Sequence, residues 1–167
     1  MTMTQRTLRN GKGSSLVEFA MVFPLLMVLI FAVMDFGVYF FIQHSMQFAT
    51  REGVRLALVG RTIADPNNPS TQLSREASIA QTIKSKASVA VRPADVSVYV
   101  YPVDATFADP SGWQTAAPNA GLAGSYMRVK TRYTYQLITP LALVGFILPS
   151  KLRVIEVQAT YRNELFN

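Results

Sequence analysis

The chain has no cysteine, one histidine and one tryptophan in 167 residues. The missing cysteine excludes a disulfide framework, a thiolate nucleophile and any cysteine-based metal site. The lone histidine, His44, excludes a multi-histidine zinc centre and leaves a histidine-based triad without an obvious orienting partner. Charge is scarce as well, at 16% of residues, with only 10 acids. Beyond Glu18 and Asp35 these acids are scattered, Asp104 and Asp109 being the nearest pair. No glycine-rich phosphate cradle is present, since "GKGSS" lacks both the preceding strand and the required spacing. Catalysis, a cofactor and a small-molecule substrate are therefore not expected. Lys and Arg outnumber the acids by 16 to 10, but Arg6, Arg9 and Lys12 lie in an acid-free opening, and the remaining excess is too dispersed for nucleic-acid binding.

What the chain has in abundance is apolar sequence at one end. From Leu16 to Ile42 the only charges are Glu18 and Asp35, and a helix of that length reaches about 40 Å against a hydrocarbon core of about 30 Å. A span placed between the two acids sets each carboxylate near an interface. Interfacial solvation is the expectation for Asp35, contact with a partner the alternative. The basic residues before the span predict a cytoplasmic N-terminus, with the remainder outside. A cleaved secretory signal is the rival, but the run is too long and lacks an A-x-A-like site.

The helix is predicted to continue through "QHSMQFATREGVRLALVG", where Ala49, Gly53 and Ala57 form a stripe of small residues. That stripe fits either a docked partner helix or packing against the chain's own domain, and the latter is favoured. His44 falls just beyond the lipid, as an interfacial polar residue. "ADPNNPS" reads as a turn-rich breaker, and residues 71–90 as an amphipathic helix with Leu73, Ala77, Ala80, Ile83 and Ala87 on one face. The period then falls to two around Val96–Tyr101, Met127–Tyr135 and Ile155–Arg162, which predicts three antiparallel strands with one face covered by helix. Between the first two strands lies a loop of about twenty residues carrying Trp113, either functional or a surface excursion tucked onto the sheet. "LITPLALVGFIL", Leu137 to Leu148, is too short to span. It fits a short buried helix or a greasy surface resting on a membrane or partner. The fold class is thus α+β, a long N-terminal transmembrane helix followed by a small domain with an amphipathic helix and an antiparallel sheet of about three strands.

"GSSLVEFAMVFPLLMVLIFAVMDFG" followed by "QFATREGVRLA" resembles the TadE-like family of Tad (Flp) pilus biogenesis, with its G-[SA]-x-x-V-E-F-A start, early proline, acid before Phe-Gly and A-x-R-E-G-[AV]-R segment. The resemblance runs from Gly13 to about Ala57, and "ATYRNE" near the end is similar too. It implies a minor pilin-like subunit, with residues 1–13 a leader, 14–60 the membrane helix and its exported continuation, and 61–167 an exported domain. It further implies processing by a prepilin peptidase between Gly13 and Ser14, assembly through Glu18, Phe19, Pro24 and Asp35, and helix packing through Ala49, Gly53 and Ala57. The implied partners are that peptidase, other pilins or pseudopilins, inner-membrane pilus assembly proteins and the lipid bilayer. The implied location is the bacterial inner membrane, with a periplasmic domain and a role in pilus assembly or adhesion. The alternative function is an unprocessed single-pass membrane-anchored binding module.

Overall fold

The computed structural model describes residues 12–137 and 152–165. Most of the expected leader and all but Leu137 of the 137–148 apolar stretch lie outside these residues. Helix α1 runs from Lys12 to Leu58 without a break. A two-stranded hairpin follows, β1 at Ala64–Asp65 and β2 at Asn68–Gln72, then α2 at Arg75–Ala87. A 3-10 turn at Pro93–Asp95 leads into β3 at Val96–Pro102, followed by β4 at Tyr126–Gln136 and β5 at Leu152–Arg162. The last three strands form one antiparallel sheet in the order β3-β4-β5. The expected α+β architecture is therefore present, with one departure: the stretch read as a plain breaker folds back on itself as the β1–β2 hairpin.

Helix α2 starts where Ser74 caps it, its side chain accepting a hydrogen bond from the Ala77 N–H at 3.2 Å. Its buried residues are Ser78, Ile79, Ile83 and Ala87. The buried face is therefore turned about one residue from the expected stripe, so that Ala77 and Ala80 are only half-buried and Leu73 precedes the helix. The strands follow the period of two: Met127, Val129, Thr131 and Tyr135 on β4 and Ile155 and Tyr161 on β5 are buried on the face that the helices cover. Met46, Ile79, Ile83 and Met127 are the largest side chains fully removed from solvent. Each contributes roughly 1.5–3 kcal/mol of hydrophobic stabilisation.

The core joins α1 to α2 and to the three-stranded sheet. Ile42, Met46, Ala49 and Ala57 of α1 share one apolar cluster with α2 and the sheet. At the far end of α1 the Glu164 N–H donates to the Leu58 carbonyl at 3.1 Å, tying the end of β5 to the end of the helix. Leu58 is thus level with the top of the sheet and Asp35 with its bottom, where Tyr135 lies. Residues 13–34 of α1 project beyond the domain for about 33 Å at 1.5 Å per residue. That matches a hydrocarbon core of about 30 Å, and this stretch is apolar enough to cross a membrane.

Candidate functional site

On the projecting half of α1 the side chains described from Ser15 to Leu26 are exposed on every side of the helix. Leu16, Phe19, Met21 and Leu25 are all more than three-fifths exposed. A soluble helix packs one apolar stripe, whereas one that is apolar all round needs lipid or other helices as its surroundings. Gly13 stands at its start with open space around it. Glu18 is exposed one turn and a half further on. The Phe19 ring packs at a tilt against Phe23, ring centroids 5.3 Å apart. Pro24 lies inside the helix and has no N–H to give to the Ala20 carbonyl one turn back, so the ladder is one bond short within the apolar stretch.

Asp35 is placed otherwise than expected. Its side chain is only 4% exposed, covered by the domain and not solvated at an interface. The Tyr135 hydroxyl donates to its Oδ1 at 3.4 Å, and the Tyr39 ring meets the Tyr135 ring edge-on. Burial, and then the neighbouring Asp35 carboxylate, push the Tyr135 hydroxyl above its ordinary pKa. A buried carboxylate is costly without such donors. The interaction joins residues 100 apart in sequence, and alternation in β4 gives no hint of it.

Along the packed half of α1, Ala49 and Ala57 are fully buried. Gly53 faces α2 so closely that a Cβ there would fall 2.4 Å from Ile83 Cγ1. Only glycine permits this approach. The small-residue stripe thus lies against the chain's own second helix. Between Ala49 and Gly53, Thr50 donates to the Met46 carbonyl at 2.8 Å, and its oxygen meets the Thr131 hydroxyl of β4 at 2.8 Å. The Thr131 hydroxyl also lies 3.4 Å from the Val157 carbonyl, so the two threonines link α1 to both β4 and β5. His44 is exposed on α1.

The other face of the sheet is polar yet partly closed. Arg128, Lys130 and Arg132 alternate along β4, and Arg128 and Lys130 are buried because the loop after β3 folds over them. Asp109 of that loop bridges Arg128 and Lys130 and accepts a hydrogen bond from the Tyr101 hydroxyl at 2.8 Å. Burial alone would raise the Asp109 carboxyl, but hydrogen bonds from Lys130, Tyr101 and Arg128 outweigh it and hold its pKa at about 2. Trp113 packs on Tyr99 and Tyr101, with Lys130 Nζ 4.4 Å from its ring centroid. Trp113 is tucked onto the sheet. The signal for this lay in the sequence: three cations on one face of a strand demand nearby acids. Asp104 caps its own turn through Thr106, so Asp104, Asp109 and His44 occupy separate environments, with His44 on the helical side of the sheet and Asp109 on the other.

A family profile described as TadE-like protein matches residues 13–55. The chain carries a TadE-like region. It is about a quarter of the sequence and consists of helix α1 from Gly13 nearly to its end, including the bare apolar half and most of the packed half. No curated protein and no solved structure matches the chain. The TadE-like region and its apolar helix are those of a pilin-like membrane protein.

Proposed function

We propose that the chain is a minor pilin-like subunit, a pseudopilin, acting in Tad (Flp) pilus biogenesis and adhesion. The carrying observation is the bare half of α1 within the TadE-like match: a helix apolar on all sides, led by Gly13 and bearing Glu18 near its start. Its N-terminus lies in the cytoplasm, the helix crosses the inner membrane, and the domain beside residues 35–58 is periplasmic. Prepilin peptidase cuts between Gly13 and Ser14, and the new α-amino group of Ser14 pairs with Glu18 of a neighbouring pilin or pseudopilin as their helices bundle. Pairing offsets the cost of two charges in an apolar setting. Phe19 and its neighbours form the apolar contact surface, and the missing backbone bond at Pro24 lets the helix bend as it leaves the bilayer. Asp35 acts within the chain, fastening the domain to the outer end of the span.

Intact mass of the membrane-extracted protein tests the reading. Cells containing the peptidase should yield a chain of 154 residues, the 167 present less the first 13. A chain still beginning at Met1 would refute processing. Gly13→Leu should leave the leader attached, and unchanged processing in that variant would move the cut elsewhere.

A further inference from the structure

A three-stranded open sheet has two edges, and the structure treats them differently. On β3 the edge-facing positions are 96, 98, 100 and 102, because the Val103 N–H donates to Tyr126 and alternate residues of an antiparallel pair turn to opposite sides. The Asn119 N–H already takes the Val100 carbonyl at 2.9 Å, and Pro102 has no N–H. Too little of that edge remains for another strand. On β5 the Asn163 N–H donates to Ser125, so the odd residues face β4, and the main chain of Glu156, Gln158 and Thr160 faces outward. Among the described residues nothing pairs with these three. β5 has no proline or bulge along this stretch, and among the described residues no loop covers it, so the devices by which proteins usually blunt an edge are not in place there.

Beside this edge runs a groove of about 320 Å³ lined by Gln47, Thr50 and Arg51 of α1 and by residues 156–159 of β5. Its one acid, Glu156, is engaged by Arg132 at 2.7 Å and Lys130 at 3.2 Å, and these cations together with hydrogen bonding keep its carboxyl below the usual range. Arg51 is exposed at the groove and has no ion-pair partner among the described residues. The groove therefore offers a row of main-chain donors and acceptors with one unneutralised cation over them.

We propose that the β5 edge accepts a strand from a different polypeptide, one carrying an acidic side chain that meets Arg51. A second copy of this chain does not fit. Antiparallel β5–β5 pairing about a two-fold axis would point the two α1 spans in opposite directions, and side-by-side addition through β3 is blocked at Val100 and Pro102. Main-chain pairing supplies the affinity and Arg51 the selectivity, as in other cases of strand addition.

Photocrosslinking in cells that naturally make the full chain tests this, with benzoylphenylalanine placed in turn at 156, 158 and 160 and the adducts mapped by mass spectrometry. The expected result is adducts to one segment of one other protein, stepping two residues along that segment for each step of two along β5. Adducts to another copy of this chain, adducts without that register, or no adducts would overturn the proposal. Gln158→Pro removes an outward N–H while leaving the β4 ladder intact, a place where edge strands tolerate proline, and should lower the yield from position 160 at least about tenfold. Arg51→Glu, on the exposed surface of α1, should do the same by like-charge repulsion. An unchanged yield in Arg51→Glu would overturn the acidic partner, and an unchanged yield in folded Gln158→Pro would overturn strand addition itself.

Discussion

Helix α1 is one unbroken element with two environments. Its first half, residues 13–34, is apolar on every side and touches little of the rest of the chain. Its second half buries Ile42, Met46, Ala49, Gly53 and Ala57 at intervals of three and four residues while Phe40, Phe48 and Arg55 stay exposed on its other faces. Backbone geometry is the same in both. What differs is where the hydrophobic residues fall around the axis, and that alone decides which half meets the chain's own domain and which must meet lipid or another helix. The two halves should accordingly respond to mutation in opposite ways.

Within the second half, glycines mark the covered face most sharply. In the packed half, Gly53→Leu drives a side chain into Ile83, where even a Cβ has no room. We expect a loss of about 3 kcal/mol, at the top of the usual range for overpacking. Thermal unfolding of the full chain in detergent, followed by the fluorescence of Trp113, would measure it. Gly37→Leu enters open space and should leave the midpoint unchanged or slightly raised, since leucine is the better helix former. Equal losses from both would abolish the distinction between the covered and the open face of this half.

Thr50 gives the next largest effect. Thr50→Val keeps the shape but leaves the buried Thr131 hydroxyl with only its long 3.4 Å bond to the Val157 carbonyl, at a cost of about 1 kcal/mol. Thr50→Val with Thr131→Val removes both partners and should recover much of that loss. A double variant no better than the sum of the singles would show that the hydroxyl pair does not hold α1 to β4.

These contacts show what could be read ahead of the structure. The length of α1, the three strands and their inward residues were legible because each follows from hydrophobic period over many residues. The small-residue stripe was legible as a packing face, with the chain's own domain as the favoured occupant, but small residues admit any helix and so did not single out α2. The Asp35–Tyr135 contact was illegible, since it depends on the height at which the domain sits along α1. The β1–β2 hairpin was missed because its exposed residues carry no apolar alternation and include Pro69. The cover over Arg128 and Lys130 was not legible, because alternation assigns a polar face but does not reveal a loop folded over it.

That loop gives a pH test on the domain side of the comparison. The Asp109 pKa is depressed in the folded chain to about 2, against about 3.9 when unfolded. A depressed folded pKa gives stability that is complete above the unfolded value and disappears as pH falls through the folded one. The bridge should hold at neutral pH and be lost between about pH 4 and pH 2, with Trp113 emission shifting as the loop lifts from Tyr99 and Tyr101. Asp109→Asn should cost about 1 kcal/mol at neutral pH by removing two charge-assisted bonds. It should also flatten the acid transition of Trp113. A transition unchanged in Asp109→Asn would assign it to another carboxylate, Glu156 being the next held by cations.

The smallest effect on stability is expected where the effect on assembly should be large. Phe36, Phe40 and Phe48 of α1 are each more than half exposed. Phe40→Ser and Phe48→Ser remove no buried contact, so unfolding of the domain should shift by less than about 0.5 kcal/mol. If the helix is the element through which the subunit joins its neighbours, these variants should nonetheless reduce co-purification with other pilins from membranes. A large loss of domain stability would show that the aromatic face is already covered within the chain. Full co-purification with full stability would confine the assembly surface to the bare half, residues 13–34.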